Sequence, residues 1–391
     1  MIKNNMIKYL VLLVVFFPMT IDIYLPAFPS MAISLDASSE QLKNTVGFFL
    51  VGFGLGQLVL GKFVDLWGSR VIALSGILSY FFLSMVQYKV NSIDWMTYLR
   101  FLTGVATAAT YVSMMAIIKD NYDSKTMPRV LNFMNGAVCC IPVLAPILGS
   151  YLTEHYGWRA NFSFMALYAV FSLAILYNKL PETNPHSSAL NKVSYFKILS
   201  NKTFLLNSIM SMSVLSIVFA YVSNAPSWLI GTLGLSPNTF SLWFSANGIV
   251  NVLGNLFIAP YLLRRYEHHN LLLFGLIIII FSGFFMYNAP STAVGFMLPI
   301  LSSSLGLAMI VGIISSHALI PFPNNAGSAS ALLGCMQMAG GGVLVTLIQK
   351  LNLGVINELT IHMLLAFPFF VLLFVVKFSK KTSADRIRMK V

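Results

Sequence analysis

The sequence predicts an all-α integral membrane protein of twelve spanning helices in two groups of six. Three observations predict it. Hydrophobic residues fill 57% of the 391 positions and charged residues only 9%, whereas soluble domains carry roughly 45–50% and about 25%, so a soluble fold of this chain would lack the polar surface to cover itself. Apolar runs of about 20 residues, the length that crosses a bilayer, recur twelve times. One polar, basic stretch, "LPETNPHSSALNKVSYFKILSNK" (180–202), falls midway.

The runs of the first half lie at 8–29, 42–62, 70–88, 95–117, 129–152 and 161–179, and those of the second at 204–224, 238–262, 270–288, 293–316, 326–349 and 357–378. Each is continuously apolar, and lipid leaves no partner for a sheet edge, so each is expected to be helical. The first run follows Lys3 and Lys8 and ends in "DIYLPAFPSM" with no small-residue cleavage site, which predicts an uncleaved first helix. The expected division is a six-helix bundle over 1–180, a cytoplasmic linker over 181–203 and a second six-helix bundle over 204–391. No strong repeat relates the halves, although weak internal symmetry is usual in transporters built this way.

Charge sets the expected orientation. The formal net charge is +12, but the basic residues sit in short segments between apolar runs, not along one soluble face as nucleic-acid binding would need. With the N-terminus inside, the inner segments hold 19 of the 24 basic residues and the outer ones only Lys43, Lys89, Arg159 and Lys350. The positive-inside rule then puts both termini in the cytoplasm of a multi-pass inner-membrane protein. Cys139, Cys140 and Cys335 all fall within apolar runs, where packing, not a disulfide framework, is their expected role.

The basic residue left over is Arg100, and it has an acidic counterpart. Asp22 lies in "PMTIDIYLPAFP", about fourteen residues from the inner end of the first run, hence ~20 Å up at the helical rise. Arg100 lies five residues into the fourth run from about Trp95, ~8 Å from the outer surface. Both fall in the outer half of the bilayer, and they are the only charged residues placed inside a span and away from its ends. A charged side chain at mid-membrane costs at least ~2.5–3.5 kcal/mol. Such acids mark ion or substrate pathways, so Asp22 and Arg100 are the expected proton-coupling pair; the alternative is a buried structural pair holding two helices together. Tyr24, Pro26 and Pro29 just beyond Asp22 predict a helix end that bends and frees backbone groups beside it.

Several segments resemble the major facilitator superfamily. "GKFVDLWGSR" (61–70) looks like its Gly-x-x-x-Asp-x-x-Gly-x-Arg loop; "LRFLTGVATAA" (99–109) resembles the span-four motif of proton-coupled members, with Arg100 as its arginine. "PVLAPILGSYL" (142–152) looks like the span-five antiporter motif, and "GWRANFSF" (157–164) and "LPET" (180–183) match the segments usual after it. "FAYVSNAPSWLIGTLGLSPNTFSLWFSANG" (219–248) and "AGSASALLGCMQMAGG" (326–341) are similar to the bicyclomycin-resistance (Bcr/CflA) branch of the drug:proton antiporters. The resemblance covers nearly the whole chain. It implies the major facilitator fold, alternating access, and export of small molecules against inward proton flow. The chain departs from the motifs at Leu66 and Ser69–Arg70, where basic residues are usual, and at Ala145–Pro146 and Gly149–Ser150, where Gly-Pro and Gly-Gly are usual.

In physical terms, Gly61 and Gly68 are expected to permit close helix approach and a tight turn. Asp65 would face the positive end of a helix of the other bundle, with Arg70 beside it and Asp120 as a further member of this inner latch. Gly136, Pro142, Pro146 and Gly149 would give the fifth helix a face of small and kinking residues suited to a rocking interface. Candidate substrate-cavity groups are Tyr24, Asn224, Asn247, Asn251 and Gln337; Asn247, Asn251 and Asn255 share one helical face by spacing. Each asparagine or glutamine could equally bond a neighbouring helix.

The expected function is a proton-coupled secondary transporter exporting drugs or metabolites, including dedicated export of a siderophore; a proton-coupled uptake symporter is the alternative. A membrane enzyme is not expected, because no HExxH, phosphate-binding loop or Gly-x-Ser-x-Gly pattern is present. The expected partners are a small-molecule substrate, protons and the lipid bilayer, with no cofactor, metal or nucleic acid, and a monomer as the working unit.

Overall fold

A computed structural model describes residues 4–123, 126–182, 194–322 and 325–375. Residues 183–193 of the expected linker and the basic C-terminal segment from 376 lie outside the described residues. The described residues are helical throughout, without a strand, and contain 12 helices long and apolar enough to cross a membrane. We number them α1 (Met6–Ser34), α2 (Ser39–Trp67), α3 (Ser69–Lys89), α4 (Ile93–Asn121), α5 (Arg129–Tyr156), α6 (Arg159–Leu176), α7 (Lys202–Thr232), α8 (Pro237–Leu263), α9 (His268–Asn288), α10 (Ala293–Leu319), α11 (Gly327–Gln349) and α12 (Val355–Val375). Odd-numbered helices begin at the end where the chain enters, here called proximal, and even-numbered ones at the distal end.

Most helices run a few residues beyond their apolar runs, because polar caps extend them. Ser38 caps α2 reciprocally: its hydroxyl accepts from the Gln41 amide at 3.2 Å while its own amide donates to the Gln41 side chain at 2.9 Å. Between α2 and α3 the turn is a single residue, Gly68, at φ 86°, a conformation that glycine adopts without penalty. The expected close helix approach at Gly61 does not occur. A Cβ there would meet nothing within 4 Å, because the residue faces away from every neighbouring helix.

α1 is interrupted. One helical piece ends at Asp22, a 3-10 turn follows over Leu25–Ala27, and helix resumes over Phe28–Ser34. Pro26 and Pro29 cause this: each removes an N–H from the ladder, and each occupies the first turn of its new piece, where that loss is tolerated. Three further irregularities are π turns, at Ser227–Thr232 in α7, Gly254–Ile258 in α8 and Met336–Gly340 in α11.

Within the first half, α4 packs along α2 and α3, α3 along α6, and α1 on α5; within the second, α10 packs on α7, α8 and α9, and α12 on α7 and α9. Between the halves, α5 lies along α8, α2 along α11, and the distal part of α1 against α7 and α8.

Candidate proton and substrate site

The break in α1 organises the site. Where a helix stops short, its last carbonyls lose their partners. Arg100, fully buried on α4, donates to one of them, the Thr20 carbonyl, at 2.8 Å. A cation at a helix C-terminus is the favourable sign for the helix dipole. The guanidinium carbon also stands 4.3 Å from the Tyr24 ring centroid and 4.9 Å from that of Phe49, within the range of cation–π attraction. Arg100 Nε and Nη1 have no hydrogen-bond partner among the described residues, so ring faces and a carbonyl hold this cation.

The expected direct pairing of Asp22 with Arg100 is absent in this conformation: no ion pair joins them. The physical reason is helical phase. The two residues were matched for depth, but side chains two positions apart on a helix do not share a face. The Thr20 hydroxyl meets Tyr80 of α3 at 2.7 Å, inside the first half. Asp22 is instead within electrostatic range of Tyr221 on α7, across the interface between halves. Asp22 is 4% exposed, and no hydrogen bond or ion pair reaches its carboxylate among the described residues.

Tyr221 was not anticipated, although it stands in the quoted segment "FAYVSNAPSW". Its ring stacks on Phe244 at 5.3 Å and tilts over Phe296 at 6.5 Å, while its buried hydroxyl has no partner among the described residues. Trp228 joins the cluster, 6.1 Å from Phe296. One helical turn from Tyr221, Asn224 is fully buried with its amide on the Ala220 carbonyl at 3.0 Å and its oxygen unpartnered among the described residues. An acid of one half thus confronts an aromatic and amide surface of the other.

The remaining cavity candidates separate. Tyr24 does not line a cavity. It is fully buried, with its hydroxyl 2.9 Å from that of Thr45 and its ring under Arg100, because it serves as packing for the cation. Asn247 accepts from Ser304 of α10 at 2.8 Å, while Asn251 donates to the Asn247 carbonyl of its own helix at 3.0 Å. Asn255, exposed and nearer the proximal end, continues the same row and donates to the Asn251 carbonyl at 2.9 Å. Gln337, inside the π turn of α11, bridges Ser211 of α7 at 2.7 Å and Ser315 of α10 at 3.1 Å.

The α5 motif does lie where α1 and α8 meet it. Gly149 sits directly against the Ile23 backbone carbonyl, one residue from Asp22. The backbone of Pro142 and Val143 abuts Gly248, Ser245 donates to the Val143 carbonyl at 2.6 Å and Ser241 to that of Pro146 at 2.8 Å. Gly136 is in ordinary contact range of Leu256. Asp65 and Asp120 fall in the last turns of α2 and α4, at the proximal end, so Asp65 stands on a helix and not in a loop. Arg70 donates to the Tyr177 carbonyl beyond α6 at 2.6 Å, which ties the start of α3 to α6. Cys139, Cys140 and Cys335 are free thiols, and no group of three or more His, Cys, Asp or Glu among the described residues could hold a metal.

Comparison with known proteins agrees with this architecture. The sequence profile of the Major Facilitator Superfamily matches residues 10–345. The chain belongs to that superfamily. It is a membrane transporter, not an enzyme. It is 29% identical over 358 residues to the multidrug resistance protein MdtL of Klebsiella pneumoniae subsp. pneumoniae, covering 89% of each chain. It is 28% identical over 349 residues to MdtL of Escherichia coli O139:H28, again covering 89% of each. Among solved structures, a D-xylose-proton symporter superposes with TM-score 0.78 at 15% identity, over 94% of this chain and 97% of that one. A bacterial homologue of the human lysosomal transporter Spinster, inward-facing and unoccupied, superposes with TM-score 0.70 at 13% identity, over 95% of both chains. At these identities the likeness concerns the fold.

Arg100 provides a first test. Arg100→Ala should lower the thermal stability of the purified transporter, because it orphans the Thr20 carbonyl, ~1–3 kcal/mol for a buried acceptor, and opens a cavity between Tyr24 and Phe49. Arg100→Lys keeps the charge but not the flat group between two rings, so its melting temperature should fall between the two. Equal melting temperatures for all three proteins would remove the capping role.

Proposed function

We propose that this transporter exports small molecules in exchange for protons, with Asp22 as the proton-carrying group. The observation that carries the reading is an acid without hydrogen-bond or ionic partners among the described residues, buried at the end of a broken helix and facing the other half of the molecule. Buried intramembrane acids mark ion and substrate pathways, and broken helices supply free backbone groups beside transport sites. The relatives named as multidrug resistance proteins support export of drugs or amphipathic metabolites, and the motifs at 219–248 and 326–341 support the bicyclomycin-resistance (Bcr/CflA) branch. Two six-helix bundles, 1–180 and 204–391 about the linker 181–203, rock against each other in this reading. The α5–α8 face with Gly136, Pro142, Pro146 and Gly149 is the moving contact. Both termini lie in the cytoplasm and the bilayer is the bacterial inner membrane, as the basic residues of the proximal segments favour. Substrate meets Asp22 on one side and Tyr221, Asn224 and the neighbouring rings on the other; Asn247, Asn251 and Gln337 brace that half.

Inverted membrane vesicles with an imposed pH gradient test the direction. Dye uptake into acid-loaded vesicles, with release of the gradient, is expected of an exporter; substrate movement in the same direction as the proton would identify a symporter instead. In the same reading Asp65 belongs to the proximal latch with Gly68, Arg70 and Asp120, while Gly61 has no contact through which to contribute. Asp65→Asn should slow turnover severalfold while substrate affinity stays within about twofold, since the residue is far from the midplane where substrates bind. Full transport rates in that variant would dismiss the latch.

A further inference from the structure

The distal ends of the two halves are joined by a pair that takes no part in the site above. Lys43, in the second turn of α2, lies 3.7 Å from Glu358 in the first turn of α12. The side chains are 9% and 6% exposed, and Glu358 Oε2 has no hydrogen bond among the described residues. The pair is therefore a buried charge contact between bundles, not a surface bridge. Also at the distal end, Asn238 of α8 donates to Glu154 of α5 at 2.9 Å and accepts from Ser150 at 2.9 Å, so the distal face is bridged at two places.

We propose that Glu358 is a second protonation site of the transporter, one that takes up a proton from the distal aqueous phase when the halves part. The inference rests on the rocking of bundles proposed above. Parting separates the pair and leaves each charge without its partner on a surface still lined by apolar side chains, which disfavours the charged form. The two partners differ in their escape. Lys43 has a long stem and can carry its ammonium to water. Glu358 is short and fixed in a helix beside the fully buried Leu359 and Met363. Its remedy is a proton, added to a carboxylate oxygen from distal water and returned there when Lys43 comes back. Proton binding thus favours the distal-open state, and distal opening should grow as pH falls.

The other titratable groups around Glu358 can be named. On α12 itself, one turn further along the same face, the buried His362 is engaged with the Ser216 hydroxyl of α7 at 2.8 Å. On α2, the exposed Glu40 acts on Lys43. The helices packed against this part of α12 are α7, with Lys202 and Tyr221, and α9, with His268, His269 and Tyr287; Lys202 and the two histidines stand at the proximal end. His362 is the competing explanation.

The test is a distance measurement across the distal face. Spin labels at Ile33 and Leu351, both exposed, in a cysteine-free background reconstituted in nanodiscs report the populations at several pH values. The expected result is an open-to-closed ratio that rises about tenfold from about pH 8 to about pH 5.5, a change of about 1.4 kcal/mol in the balance between states. Glu358→Gln should flatten the response to less than about twofold, and the swapped pair Lys43→Glu with Glu358→Lys should restore closure and pH dependence together. A full response in Glu358→Gln, or its loss in His362→Gln with Glu358 intact, would overturn the proposal. Wild-type opening that ignores pH would overturn it alone, whereas no opening in any variant at any pH would overturn the rocking of bundles as well.

Discussion

Asp22→Asn should reduce proton-driven export to the level of membranes lacking the protein, with the variant still inserted, folded and able to bind substrate. The amide keeps the shape of the carboxyl and cannot titrate, so only steps that need proton exchange are lost. The structure sharpens this expectation. Asp22 has no ionic partner to orphan, and removing its charge should leave stability unchanged or improved, unlike the breaking of a buried pair. Asp22→Glu should retain part of the transport. The check is vesicle transport under an imposed gradient, paired with the melting temperature of purified protein. A variant that fails to transport because it no longer folds would identify Asp22 as structural, the alternative that its position in the chain leaves open.

Gly149→Ala should be the more damaging change to the protein as a whole. A methyl group at that position is driven into the Ile23 backbone carbonyl, and a backbone segment cannot turn aside as a flexible side chain can. Overpacking of this kind costs ~1–3 kcal/mol, and here its relief pushes the broken part of α1, with Asp22, away from α5. Both melting temperature and transport rate are expected to fall, with transport falling further than stability explains. By contrast, Gly136→Ala should be mild, since its nearest neighbours are the ends of the Leu256 side chain at 3.6 Å. Equal behaviour of the two substitutions would mean that the close approach at Gly149 has no special role.

The twelve spans, the irregular end of the first helix and the common level of Asp22 and Arg100 along their helices were legible in the sequence. The signals there are local: apolar run length, proline positions and the rarity of intramembrane charge. The partners were less legible. Depth can be counted along one helix, but whether Arg100 meets Asp22 depends on the rotation of two helices, which run length does not report. The Thr20 carbonyl carries no side-chain signal at all. Lys43 and Glu358 stand at the edges of their runs, where a charge reads as a solvated end, and 315 positions of chain separate them. Tyr24 and Tyr221 illustrate the same limit. Both are aromatic residues in apolar runs, yet one is packed under a cation and the other faces the interface between halves. The asparagine row of α8 was legible in its spacing, with Asn251 and Asn255 each donating to the carbonyl four residues back, but not in its burial, which falls from the buried Asn247 to the exposed Asn255.

The most direct test of Asp22 as proton carrier is infrared difference spectroscopy of the purified transporter as pH is stepped, comparing wild type with Asp22→Asn in the Glu358→Gln background. The account predicts a protonated-carboxyl band in the Glu358→Gln protein that appears and disappears reversibly with pH and is missing when Asp22 is also replaced. Identical spectra from the two proteins across the titration would contradict it.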